Sequence, residues 1–269
     1  MKKLFLRMCM IVVGICLLAG CNHGEDFPAK PKTFVLIHGA WQAPYVWNTV
    51  KAELESAGQK VVVVELPAHG DDSTSPSLVS IDVYRNKVVD AINKIDGKVI
   101  LVGHSLGGVV VSEVAEKIPS RIEKLIYIGA FVPANGQSLF DLAGADQQSL
   151  LGPALLFSED HLLIDVARDS IVNIFCQDAS AAAQRLVLEK YRAEPAIPFT
   201  NKVVLTDANF GKVDKYYIYT LLDHAIGINN QHAMSDAAKI THTYSVNTGH
   251  SPFLSQPDNV TKLLLEIAQ

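Results

Sequence analysis

A serine stands between glycines in Gly103-His-Ser105-Leu-Gly107, at the point where an apolar run gives way to a helical pattern. The residues before it, Lys98 to Val102, read as a buried strand, and Val109 to Lys117 suit a helix with one apolar face. So sharp a strand-to-helix turn strains the backbone. Glycines at 103 and 107 leave room for it, and the serine hydroxyl is pushed outward. A hydroxyl is a weak nucleophile near neutral pH, so it needs a base, an anchor for that base, and donors for the oxyanion formed on attack. The chemistry implied is acyl transfer through a covalent serine intermediate.

Each partner has a candidate. His250, in Asn247-Thr-Gly-His-Ser-Pro252, directly follows the last apolar run and is the expected base. His38, His69, His104 and His224 have settings that suit structural hydrogen bonds. His23, His161, His232 and His242 lack a comparable loop. Asp223 closes the run Lys215 to Asp223 and is the expected anchor, whereas Asp207 and Asp214 precede that run and belong at its opposite end. The oxyanion donors are expected to be the amide of Leu106 and one amide of the loop His38-Gly-Ala-Trp41, Ala40 first and Trp41 as the alternative. Gly39 and Trp41 are also candidate substrate contacts. Neither H-E-x-x-H nor clustered Cys/His spacing occurs, so neither a metal nor another cofactor is expected.

These side chains need a scaffold. Strands are expected at Thr33 to His38, Lys60 to Glu65, Lys98 to Val102, Lys124 to Gly129, Lys215 to Leu221 and Ile240 to Val246. Amphipathic stretches at Tyr45 to Ser56, Ser80 to Ile95 and Pro257 to Ala268 alternate with them, Ser80 being an N-cap candidate. The pattern predicts an α/β fold: a mostly parallel sheet of about six strands flanked by helices. From about 132 to 213 there are helical pieces such as Ser180 to Ala193 but no clear strand, which predicts a helical cap inserted after the fourth core strand. Such a cap would roof the C-terminal strand ends, where ligands of open α/β sheets bind.

The chain has 269 residues, 49% of them hydrophobic, enough for one large core. A formal net charge of -5 argues against nucleic acid or anionic lipid as an electrostatic partner. Oligomeric state has no signal. Met1 to Arg7 is basic, and the apolar run Met8 to Ala19 is short for a membrane span. It ends in Leu18-Ala-Gly-Cys21, which resembles the lipobox of bacterial lipoproteins; an ordinary signal peptide with an incidental cysteine is the other reading. The resemblance implies a leader at 1–20, lipid on Cys21, a tether at 21–32, a catalytic domain at 33–269, and export to a lipid-anchored position in the bacterial cell envelope. Cys9 and Cys16 would leave with the leader, so Cys176 would be the one remaining thiol and no intrachain disulfide is expected.

From about Thr33 onward, His38-Gly-Ala-Trp41, the elbow Gly103 to Gly108, Tyr217 to Asp223 and Gly249-His250 together resemble the α/β-hydrolase superfamily, which shares the chain order Ser105, Asp223, His250. More narrowly the chain resembles the branch of plant methyl-ester esterases, hydroxynitrile lyases and bacterial pyrethroid-hydrolase-like esterases. The resemblance implies a serine hydrolase acting on small or medium-sized carboxylic esters. A C–C lyase and a non-catalytic small-ligand-binding homologue are the alternatives. Lyases of this branch carry threonine where Gly39 stands and lysine where Ser251 stands, and both departures favour ester hydrolysis.

Overall fold

In chain order the strands are Thr33–Ile37 (β1), Lys60–Val64 (β2), Val99–His104 (β3), Ile122–Ile128 (β4), Leu155–Phe157 (β5), Leu163–Val166 (β6), Glu194–Pro195 (β7), Lys215–Thr220 (β8) and His242–Val246 (β9). The helices are Asn48–Ser56 (α1), Ile81–Asn93 (α2), Gly107–Lys117 (α3), Leu139–Gly144 (α4), Leu151–Ala154 (α5), Ile171–Phe175 (α6), Ala181–Lys190 (α7), Ile197–Thr200 (α8), Ile228–Ala237 (α9), Pro252–Ser255 (α10) and Pro257–Ile267 (α11). This computed structural model describes residues 30–269. The expected leader, Cys21 and most of the expected tether therefore lie outside the described residues.

The six expected core strands form one sheet in the order β2-β1-β3-β4-β8-β9, every pair parallel. Side chains alternate across it. Val35, Ile37, Leu101, Leu125 and Tyr127 pack on one face with Tyr84 and Val88 of α2 and Val110 and Val114 of α3. Phe34, Leu36, Ile100, Val102 and Ile126 pack on the other with Val50 and Leu54 of α1 and Val260 and Leu264 of α11. Burial on both faces is why these strands read as continuous apolar runs. The chain moves outward from β1 to β2 and then returns to the other side of β1 for β3. That reversal leaves the loops after β1 and β3 side by side at the C-terminal edge, the place where open sheets of this kind form their crevice.

Local signals set several ends. The Ser80 hydroxyl accepts from the Val83 amide at 3.2 Å and caps α2. The stretch expected to be helical from Tyr45 begins instead with a 3₁₀ turn, Pro44–Trp47. β3 runs on to His104, and β9 starts only at His242, because the Ile240 amide is used to close the end of α9 on the Ser235 carbonyl. The chain between β4 and β8 departs most from expectation. It holds short helices as expected, but also a three-stranded antiparallel sheet in the order β5-β6-β7, where no strand was expected. Strands of two to four residues are too short to show a period, and β7, which contains Pro195, is an edge strand.

Candidate active site

Ser105 occupies the bend between β3 and α3 with φ of 53°, the left-handed region that a residue with a Cβ enters only under restraint. The surrounding glycines show what the restraint is. A Cβ on Gly103 would lie 2.7 Å from the Gly107 carbonyl oxygen, and one on Gly107 would lie 2.8 Å from that of His38. The elbow is therefore wedged between the loop after β1 and its own helix, and the serine is left facing a cavity.

His250 lies on the loop after β9, its ring almost wholly buried. Its Nδ1 is 2.8 Å from Asp223 Oδ2. Asp223 sits just past β8, and its carboxylate receives donors on both oxygens: the Ala225 and Ile226 amides on Oδ1 at 2.7 and 2.9 Å, and the Thr220 hydroxyl on Oδ2 at 2.7 Å. Gln231 of α9 adds a longer contact at 3.5 Å. An ion so surrounded accepts only, so His250 carries its proton on Nδ1, and Nε2 keeps the lone pair that a base requires.

His104 connects this pair to the elbow. It precedes Ser105, its ring centroid is 4.5 Å from that of His250, and its Nε2 donates to the His250 carbonyl at 2.8 Å. Burial, followed by the nearby His250, holds its pKa well below the ordinary histidine value, so it stays neutral. From the expected set, the structure pairs Asp223 with His250 and sets the His250 ring against His104, the residue next to Ser105. Asp214 lies at the start of β8, at the opposite end, as expected.

The Ala40 and Leu106 amides donate to no protein acceptor among the described residues, and both residues line the cavity. The alternative donor, the Trp41 amide, is committed: it donates to Glu194 Oε2 at 2.8 Å. A Cβ on Gly39 would fall 2.7 Å from Ser105 Cβ, so its smallness makes room for the elbow. Trp41 does line the cavity.

His38 and His69 are structural, as expected. His38 donates from Nδ1 to the Gly39 carbonyl and accepts the Leu66 amide on Nε2, and burial together with the nearby His69 lowers its pKa to about 3. His69 donates to the Pro67 carbonyl from Nδ1 and to Glu194 Oε2 from Nε2. Burial opposes its positive charge, but the Glu194 carboxylate prevails and its pKa is raised.

The cavity in front of Ser105 measures about 380 Å³. Its wall is largely apolar, with Phe131, Leu139, Phe140, Phe199 and Ile226 contributing, and among the described residues it contains no Lys, Arg or His. Its one carboxylate, Asp146, is occupied by the amides of Gln148, Ser149 and Gly227. The arrangement can take a neutral, mostly apolar molecule and present its carbonyl to a buried nucleophile.

Sequence reasoning missed Thr220, Gln231 and Glu194. Thr220 shares a strand end with Asp223 and could have been suspected. Gln231 and Glu194 carry no local signal.

A model described as the alpha/beta hydrolase family matches residues 34–263. Among curated proteins, the Arabidopsis thaliana protein named "Putative methylesterase 11, chloroplastic" is 33% identical over an alignment of 248 residues that covers 88% of this chain. This chain spans 64% of that relative's length. Among solved structures, the extracellular alpha/beta-hydrolase from a Paenibacillus species that shares structural and functional homology with tobacco salicylic acid binding protein 2 is 28% identical. It superposes with a TM-score of 0.76 over 88% of this chain and 98% of its own. Polyneuridine aldehyde esterase, 23% identical, gives a TM-score of 0.77 over 89% of this chain and all of its own, a likeness of fold.

Proposed function

This chain belongs to the alpha/beta hydrolase family, and on that footing we propose that it hydrolyses carboxylic esters of neutral, small or medium-sized apolar acids through an acyl-enzyme on Ser105. The observation that carries the reading is the Asp223–His250 hydrogen bond, linked through His104 to a serine held in a strained turn at the cavity wall. Ser105 Oγ attacks the ester carbonyl while His250 Nε2 takes its proton and passes it to the departing alcohol. The Ala40 and Leu106 amides bind the oxyanion of each tetrahedral intermediate. Water then attacks the acyl-enzyme, with His250 as base, and frees the acid. The methylesterase name of the curated relative supports methanol as a leaving group. The tight fit of Gly39 against Ser105 weighs against the lyase alternative, whose threonine at this position would need the loop to move.

A panel of methyl and p-nitrophenyl esters tests this with the purified chain. Esters of neutral arylalkyl and medium-chain acids are expected to be cleaved, and those whose acyl part bears a second carboxylate at least tenfold more slowly, since the wall contains no cation to meet it. Absence of acid release from every ester would defeat the proposal.

The basic start, the short apolar run and Leu18-Ala-Gly-Cys21 support export and a lipid on Cys21 that tethers the domain to the cell envelope. In bacterial cells grown with an alkyne-bearing fatty acid, the chain is expected to take up the label and partition with membranes. Cys21→Ser should lose both properties; retention of label in that variant counts against the anchor.

A further inference from the structure

A carboxylate removed from water is costly unless donors meet it. Glu194 on β7 is 0% exposed, and its donors all come from the core: the Trp41 amide at 2.8 Å, His69 Nε2 at 2.8 Å and, more loosely, the Tyr84 hydroxyl at 3.5 Å. Trp41 spends its second donor on the cap as well, from Nε1 to the Ile164 carbonyl of β6 at 2.9 Å. Ile164 and Glu194 are partners in the β6–β7 pairing, so one rung of the cap sheet receives both donors of Trp41. The grip falls on a strained residue. Trp41 has φ of 57°, where a bulky side chain stays only if its surroundings hold it. The next amide back along the chain is that of Ala40.

We propose that Glu194 is a positioning residue acting from the cap: by holding the Trp41 amide it keeps the strained loop in place, with the Ala40 amide aimed at the oxyanion on Ser105. This rests on the ester-hydrolysis reading. It makes the cap sheet part of the oxyanion hole as well as a roof. Because the oxyanion exists only along the reaction path, the effect falls on kcat and leaves KM almost alone.

Glu194 also balances the charge of His69, and two variants separate these tasks. Glu194→Asp keeps the charge but draws the acceptor back by one methylene; Glu194→Gln keeps the reach and drops the charge. With the ester that the wild type cleaves best, the Asp variant is expected to lose kcat tenfold or more with KM within threefold, and the Gln variant to stay within threefold in kcat. A trifluoromethyl ketone, whose adduct with serine carries the oxyanion, should lose affinity in step with kcat. If Gln is the more damaged, or if KM rises in place of a loss in kcat, the inference is overturned and Glu194 is only the counter-ion of His69. If the Asp variant does not fold, hydrogen exchange on the wild type decides. Exchange of the Trp41 amide as slow as that of β6 is expected, and fast exchange overturns the proposal. A wild type that cleaves no ester defeats the ester reading and this role together; an active wild type matched by both variants defeats the role of Glu194 alone.

Discussion

Ser105→Ala is expected to lower kcat about a million-fold, the scale on which serine hydrolases lose activity with their nucleophile, while the fold survives. The substitution removes one oxygen at the cavity wall and leaves the Cβ that the elbow already accommodates at φ of 53°. The neighbouring bonds are made by the backbone: the Ser105 carbonyl accepts the Gly108 and Phe131 amides at 2.9 and 3.2 Å and does so equally in alanine. Thermal unfolding should therefore match the wild type. Labelling by a serine-directed phosphonate should vanish, since no nucleophile remains to form the bond. A variant that retains more than about a hundredth of wild-type kcat would mean that Ser105 is not the nucleophile. The chemistry proposed for the His250 and Asp223 pair would then have to serve some other group.

Asp223→Asn carries the next largest effect, a loss of kcat of about ten thousand-fold, and its cause is the position of a proton. The carboxylate now receives His250 Nδ1 and the Thr220 hydroxyl on one oxygen and two amides on the other. An asparagine keeps its oxygen on the Ala225 and Ile226 amides, because the alternative leaves both without an acceptor in a buried loop. Its amino group then faces His250. To accept from it, the imidazole must move its proton to Nε2, and the lone pair that should take the serine proton is lost. KM should remain within about threefold, since Asp223 does not line the cavity. Steady-state kinetics on one neutral methyl ester checks this. A loss below tenfold would show that the buried carboxylate serves the fold of the β8 loop and not the base.

Whatever depends on neighbours along the chain could be read before folding. Buried strands announce themselves as apolar β-branched runs because both faces of the sheet are covered, and all six core strands begin and end within two residues of the expected positions. The elbow was legible because its glycines answer a local steric demand. The order Ser105, Asp223, His250 followed from the strand ends on which those residues fall. The cap sheet stayed hidden because β5, β6 and β7 are each shorter than one recognisable period. At Gly39 a sequence says that a glycine makes room without saying for what; only the packed loop reveals that a Cβ there would meet Ser105.

From sequence alone came the sheet, the turn that exposes a serine and the residues able to serve it, since periodicity and turn chemistry act over a few residues. The tertiary structure alone decided which loop amide is left without a protein acceptor among the described residues, which carboxylate is saturated with donors and which side chains line the cavity. The reason is separation: the Trp41 amide meets Glu194 across 153 positions, and a contact of that kind exists only once the cap has closed over the sheet.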